Sequence, residues 1–376
     1  MATGGKLVSN IARRDVLAGL AGTALLPAAA QAGSFPTLAG LLDVPVSPTL
    51  DPELRLTRIG IGSCFNQNRD GSLLDVALRS RPDLFLFMGD NVYGDTRSPD
   101  LNELIGAYAA ALARPDYRRF RAAMPMVAVW DDHDFGLNDA GVTYAWKAAT
   151  RPLFFDFWNV PADAPRRQGS GINDAFITGP KGARVQVILL DTRSFRDDWT
   201  PSPTRGQPGA ESYVENPDPS RTILGEAQWQ WLEAQLRQPA DVRIIVTSYQ
   251  LVADGHGYEC WRLFPHERAR FRALVSRTRA NGIVLVSGDR HRAGIYRDAT
   301  GVPYPLHELT SSSINMGWAG EHREEAGPNR IGPSYSANNV GLIRLDWERR
   351  EIGLDILDAG DRVVLSQGIA MDALRI

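Results

Sequence analysis

The sequence predicts a mixed α/β fold, sheets within and helices outside, on three observations. From Arg58 onward, short apolar runs alternate with amphipathic stretches, the pattern of strand–helix units. Four of those runs end in short acidic or polar clusters. RIGIG (58–62) runs into SCF (63–65), PDLFLFM (82–88) into GDNVYGD (89–95), PMVAV (125–129) into WDDHD (130–134), and GIVLV (282–286) into SGDRH (287–291). The final segment, residues 339–369, alternates like antiparallel strands joined by tight turns. With 43% hydrophobic residues the chain can bury a large core, which excludes a disordered protein.

At the N-terminus Lys6, Arg13 and Arg14 precede the apolar run VLAGLAGTALL (16–26), Pro27 and the small-residue site Ala30-Gln31-Ala32. That is the layout of a secretory signal, and the paired arginines point to the twin-arginine route, which carries folded proteins. Residues 1–32 are expected to be a signal cleaved near Ala32, leaving a periplasmic or secreted protein with no transmembrane segment. Residues 33–57, with Pro36, Pro45, Pro48 and Pro52, are expected to form a tether, and residues 58–376 the catalytic domain.

Within that domain RIGIGS is a strand, LLDVALRS (73–80) a helix and DLFLFM a strand. ELIGAYAAALA (103–113) is helical, MVAVW returns to strand, and residues 143–158 show helical spacing broken by Pro152. AFITG (175–179) and RVQVILLD (184–191) are strands, and the Pro- and Gly-rich stretch 200–220 is either a loop near the site mouth or a solvated spacer. EAQWQWLEAQL (226–236) is a helix, RIIVTS (243–248) a strand, and ERARFRALVSRTRA (267–280) a helix leading to the last acidic cluster.

In open α/β sheets, polar groups just past the carboxyl ends of the strands share one crevice. Here that crevice gathers Cys64, Asp90, Tyr93, Asp132, His133, Asp134, Asp289 and His291. So many carboxylates repel one another unless cations lie among them, so a multinuclear metal centre is expected. In GDNVY, Asp90 can bridge two cations and Tyr93 can supply a phenolate to ferric iron, with Gly89 permitting a sharp turn. In WDDHDFGLND (130–139), Asp132 is a ligand candidate and His133 is placed to reach a leaving-group oxygen. Asp134 is expected to hold the other imidazole nitrogen, and Asn138 and Asp139 offer oxygens suited to calcium. In SGDRH, Asp289 and His291 complete the set. Cys64 is either a thiolate ligand or half of a disulfide with Cys260. A net charge of −3 gives no reason to expect a nucleic-acid partner. The first strand is not followed by G-x-G-x-x-G, and no G-x-S-x-G elbow occurs, which disfavours dinucleotide binding and serine hydrolysis.

In order and spacing, GSC, GDNVYGD, WDDHD..LND, LLDTR (189–193), TSYQ (247–250), SGDRH and ELTSS (308–312) resemble the PhoD-like branch of the calcineurin-like metallophosphatases. The resemblance runs from about Arg58 to the C-terminus. It implies a four-layer α/β/β/α sandwich with the metal site at the carboxyl ends of the central strands. It also implies phosphomonoesterase or phosphodiesterase activity on small phosphate esters, with Fe(III) and Ca(II) as cofactors. Carried over by position, Cys64 and Tyr93 would ligate iron and Asp90 would bridge. Asp132, Asp289 and His291 would complete the shell, and His133 would face the substrate. Arg193 of LLDTR would contact a phosphate oxygen or form a buried pair with Asp191. Asn91, Asn138, Asp139 and Trp261 are candidate contacts to a second calcium or to substrate, Trp261 being otherwise a packing residue. Two other readings stand beside this one. The first is a phospholipase C-like two-metal phosphodiesterase using zinc or manganese, and the second is an exported cation- or phosphate-binding protein without chemistry.

Overall fold

Parallel strands covered on both faces read as unbroken apolar runs, and such runs frame this protein. The computed structural model describes residues 45–207, 210–318 and 327–376. The expected export signal and residues 33–44 of the expected tether lie outside them. The first half of the chain forms β1 (Arg58–Gly62), α1 (Ser72–Arg79), β2 (Leu84–Met88), α2 (Asn102–Ala113), α3 (Pro115–Ala123), β3 (Met126–Val129), α4 (Asp132–Phe135), α5 (Lys147–Phe157) and α6 (Pro165–Gln168). There follow β4 (Asp174–Thr178), β5 (Val185–Leu189), β6 (Thr200–Pro201), β7 (Tyr213–Val214), α7 (Gly225–Leu236), β8 (Val242–Val246) and α8 (Pro265–Thr278). The chain closes with β9 (Ile283–Ser287), β10 (Ala293–Asp298), β11 (Leu306–Ser311), β12 (Arg330–Tyr335), β13 (Val340–Asp346), β14 (Glu351–Leu357) and β15 (Val363–Ala370).

One sheet has the order β15-β14-β13-β1-β2-β3 and the other β12-β10-β11-β9-β8-β5-β4. β1, β2 and β3 run parallel, as do β11, β9, β8 and β5, while β13, β14 and β15 form an antiparallel meander. Every residue of β2, β5, β8 and β9 is buried, as two-sided cover requires. The sheets face one another through β11 against β13 and β12 against β15. A Cβ on Gly341 would stand 2.4 Å from the Ile61 side chain and 3.1 Å from that of Ser311, so glycine is what lets the sheets close there. Helices α1, α2 and α3 pack together outside the first sheet, and α7 and α8 outside the second, giving the four-layer α/β/β/α order. Leading into β1, residues 51–56 are pinned to the body. Gly179 N donates to Pro52 O (2.9 Å), Thr178 Oγ1 to Asp51 O (3.0 Å), and Trp347 Nε1 to Leu56 O (2.7 Å).

The sequence reading did not include α3, α4, α6, β6, β7, β10, β11 or β12, and two departures from it have a clear physical reason. α5 continues through Pro152, because its buried residues Leu153, Phe154 and Phe157 anchor the helix in the core and one lost N–H is tolerated. β11 was not anticipated as a strand because it carries Glu308, whose buried carboxylate breaks the apolar pattern. That carboxylate accepts from Leu251 N (2.9 Å) and Val252 N (2.7 Å), tying the loop after β8 to β11.

Candidate metal centre

The side chains that could hold a cation sit just past the carboxyl ends of β1, β2, β3 and β9, or on the turns that follow these strands and β8. Cys64 (φ 57°), Asp90 (49°), Asp139 (55°), Asp289 (69°) and His291 (51°) all adopt the left-handed conformation. Non-glycine residues seldom do so, and such strain gathers at functional sites. Gly89 (φ 98°) has no room for a side chain, since a Cβ there would lie 2.4 Å from the Cβ of Asp131. The turns after β2 and β3 are therefore pressed together, which brings their acidic residues into one site.

One half of the site is mixed in chemistry. Cys64 Sγ donates to Asp90 Oδ2 at 3.4 Å, and Tyr93 Oη donates to the same oxygen at 3.1 Å. Tyr93 Oη also lies 2.9 Å from His291 Nε2. Ser312, at the end of β11, sets this half from the second sheet: its Oγ is 3.2 Å from Cys64 Sγ and accepts from His291 N at 2.9 Å. Gln67 clamps the Tyr93 backbone through two bonds of 2.9 Å.

The other half is carboxylate-rich. Donor atoms of Asp131, Asp132 and Asp289 lie within 4.8 Å of one another, as do those of Asp132, Asp139 and Glu259. Asp90, Asp132 and His133 form a third such group, so Asp90 and Asp132 join the two halves. Arg193 is wholly buried among these acids. Its Nε donates to Asp131 Oδ1 (2.6 Å), and its Nη1 and Nη2 donate to the two Glu259 oxygens (2.6 and 2.8 Å). Ser248 donates to Asp131 Oδ1 at 2.6 Å.

Burial pushes the Asp90 carboxyl well above its usual range, and Cys64 and Asp132 push it further. Burial likewise lifts the Cys64 thiol to about 11 and Asp131 to about 7, the latter against the pull of Arg193. Burial pushes His291 down to about 4, which favours the neutral imidazole that a cation requires. Asp132 goes the other way: burial opposes ionisation, but His133 and Arg193 hold the carboxyl below its usual range. Asp90 Oδ1 and Asp131 Oδ2 are buried without a hydrogen-bond partner. Orphaned oxygens beside mutually repelling acids fit a bound cation, which would satisfy both. Asp90, Asp132, His133, Asp139, Glu259 and Asp289 border a cleft of about 350 Å³ that opens to solvent.

The family model of PhoD-like phosphatases matches residues 61–353. The chain belongs to the PhoD-like phosphatase family. Alkaline phosphatase D of Bacillus subtilis (strain 168) is 22% identical over 249 residues, which cover 57% of this chain and 42% of that protein. The match thus spans less than half the length of that curated relative. A solved structure of PhoD superposes with a TM-score of 0.64 at 15% identity, covering 85% of this chain and 74% of that one, a likeness of fold.

In this PhoD-like chain Cys64, Asp90, Tyr93, Asp132, His133, Asp289 and His291 come together, and Asn138 and Asp139 border the same cleft. Four expectations need correction. Asp134 does not hold His133. It accepts from Asp131 N (2.7 Å) and Asp90 N (3.1 Å) and from Asn91 Nδ2, because it is the third residue of α4 and closes a capping box with Asp131. The partner of His133 is Asp95, whose Oδ1 lies 3.0 Å from Nδ1. Arg193 neither reaches the cleft nor pairs with Asp191. Asp191 instead accepts from Trp130 Nε1 (3.0 Å) and from the backbone N of Ile172, Arg193 and Ser194 (2.9, 3.1 and 3.0 Å). Trp261 is buried against Trp229 and Phe271, donates to Thr247 Oγ1 at 3.0 Å, and does not border the cleft.

Asn91 Nδ2 donates to Val129 O at 2.9 Å and to Asp134, and its Oδ1 is left buried without a hydrogen-bond partner, as Asp90 Oδ1 and Asp131 Oδ2 are. Cys64 and Cys260 are both buried and free, so the disulfide alternative falls. Sequence reasoning assigned no site role to Asp95, Asp131, Ser248 or Ser312. Each lies inside or next to a quoted motif, so the signal was present without the contact that gives it meaning.

Proposed function

We propose that this chain is an exported, metal-dependent phosphoester hydrolase acting on small phosphate esters. The observation that carries the reading is the overlap of four ligand groups through Asp90 and Asp132 at the floor of an open cleft. In this reading Cys64, Tyr93, His291 and Asp90 would hold a ferric ion, because thiolate, phenolate and imidazole together suit iron. Asp131, Asp132, Asp139, Glu259 and Asp289 would offer the oxygen-only set that calcium prefers, and Asp90 belongs to groups on both sides. Bound cations would lower the pKa of water and offset charge on the phosphate oxygens, the main requirement of phosphoryl transfer.

The chain's own residues supply the rest. Asp95 fixes His133 through Nδ1 and leaves Nε2 to serve a leaving-group oxygen. Burial opposes charge on His133, but Asp132, Asp90 and Asp95 outweigh it and push the imidazole up to about 11. Arg193 offsets part of the charge that Asp131 and Glu259 bring. Residues 1–32 would direct export through Arg13 and Arg14, with cleavage near Ala32, residues 33–57 would follow as the tether, and 58–376 would form the catalytic domain.

The test is elemental analysis and visible absorption of the exported protein, beside rates on a matched phosphate monoester and diester. Stoichiometric iron and calcium with a tyrosinate band and ester hydrolysis are expected. A colourless, fully active protein containing zinc or manganese and favouring diesters would replace the metal assignment with the phospholipase C-like reading. Absence of hydrolysis with each of iron, calcium, zinc and manganese supplied would leave a binding protein.

A further inference from the structure

Tyr258 and Trp318 are, among the described residues, the aromatic side chains left most exposed, at 51% and 52%. Both border the same cleft as the candidate ligands. Bulky aromatic surface is normally buried, so a pair left open on one cleft marks a binding wall rather than a packing residue. Neither ring is loosely held. Trp318 N donates to Ser336 O at 2.7 Å and Gly317 N to Asn338 Oδ1 at 2.9 Å, which fixes the backbone beneath the indole. The indole stands with its centroid 6.3 Å from the His291 ring. Tyr258 is on the loop after β8, and the guanidinium of Arg290, from the turn after β9, sits 4.4 Å from its ring centroid and steadies that side chain.

We infer that the cleft recognises phosphate esters whose alcohol part carries a flat aromatic group, a nucleobase or an aryl ring, seated against Trp318 and Tyr258. This rests on the hydrolase reading and names its substrate class. Trp318 lies one ring away from His291, so a phosphoryl group over the acidic floor leaves its alcohol portion directed at the aromatic rim. A cleft of about 350 Å³ is at the small end of ligand pockets, room for a single mononucleotide-sized ester. Stacking on an aromatic side chain tolerates any flat ring, which predicts breadth across bases and aryl groups and selection against sugars and alkyl chains.

The test compares esters with matched leaving alkoxides, so that chemistry does not imitate recognition. One pair is adenosine 5′-monophosphate with ribose 5-phosphate, and the other is benzyl phosphate with cyclohexylmethyl phosphate. In the metal-loaded protein, kcat/KM should favour an aromatic member by about tenfold, within the range of a single stacking contact. The ratio should fall toward one in the Trp318→Ala, Tyr258→Ala double variant and recover with Trp318→Phe. The pair that shows the preference identifies the source, nucleobase or aryl. Equal rates within both pairs, or a preference that survives the double variant, overturn the inference while leaving the hydrolase reading intact. Calorimetric binding of adenosine against ribose separates the two claims. Adenosine binding that vanishes in the double variant, with no ester hydrolysed, would keep the aromatic wall and discard the hydrolase.

Discussion

The two halves of the acidic site solve the same charge problem differently. Around Cys64, Asp90, Tyr93 and His291 the hydrogen bonds run among thiol, carboxylate, phenol, imidazole and hydroxyl groups. Around Asp131, Asp132 and Glu259 the protein supplies its own buried cation, Arg193, in a two-pronged grip on Glu259. The first half thus presents a donor set that waits for a metal of particular softness. The second is already partly neutralised and can fold into shape before any ion arrives. Such a division suits a site in which one ion is chosen by donor chemistry and the other by cavity and charge.

The strongest way to break the comparison is to remove what the halves share. Asp90 touches Cys64 and Tyr93 and also belongs to the group with Asp132 and His133. Asp90→Ala should therefore empty both halves at once. Elemental analysis should find neither metal retained, and turnover should drop by about a thousandfold or more, the scale of several kcal/mol of lost charge stabilisation. Full retention of either ion would show the halves to be independent.

A smaller effect, in stability rather than turnover, distinguishes them. Arg193→Met deletes the guanidinium and leaves the buried carboxylates of Asp131 and Glu259 unpaired. Breaking a buried pair from one side costs about 3–5 kcal/mol, which urea unfolding at fixed calcium would register. The visible band expected from the Tyr93 half should persist in the folded variant. Tyr93→Phe should do the reverse, bleaching the band at about 1 kcal/mol of stability. If both substitutions shift stability equally, the internal counterion is not what separates the halves.

Much of this was legible before the structure because of how parallel strands work. A strand covered on both faces must be apolar throughout, so the first polar residues after it mark its carboxyl end. The runs 58–62, 82–88, 125–129 and 282–286 announced β1, β2, β3 and β9 in this way. What stayed hidden depends on contacts between distant segments. Asp131 and Asp132 are neighbours of one charge type in sequence, yet one faces Arg193 and Ser248 while the other accepts from Asp139 N at 2.7 Å. Arg193 could be seen in LLDTR, but its partner Glu259 lies 66 positions away. Glu308 looks like a strand breaker until the backbone it caps is seen. The helix cap that claims Asp134 was inferable from the Asp131-x-x-Asp134 spacing, though the same spacing also suits a residue reaching the histidine between them.

The least disruptive change tests whether the exchange of Asp134 for Asp95 matters to chemistry. Asp95 is about 41% exposed, so its bond to His133 adds little to stability, and any effect of Asp95→Asn must come from orienting the imidazole and favouring its charged form. Turnover should fall by about tenfold, the lower range for a group that supports a functional histidine, with metal content and unfolding midpoint unchanged. A structural role alone would move the midpoint and leave turnover per folded molecule as it was. The decisive arm is the double variant. If Asp95 acts only through His133, then in a His133→Ala background, itself about a hundredfold slower or more, Asp95→Asn should do nothing further. Additive losses would mean that Asp95 contributes to the cleft directly, and that the imidazole is oriented by the carboxylates of Asp90 and Asp132 instead.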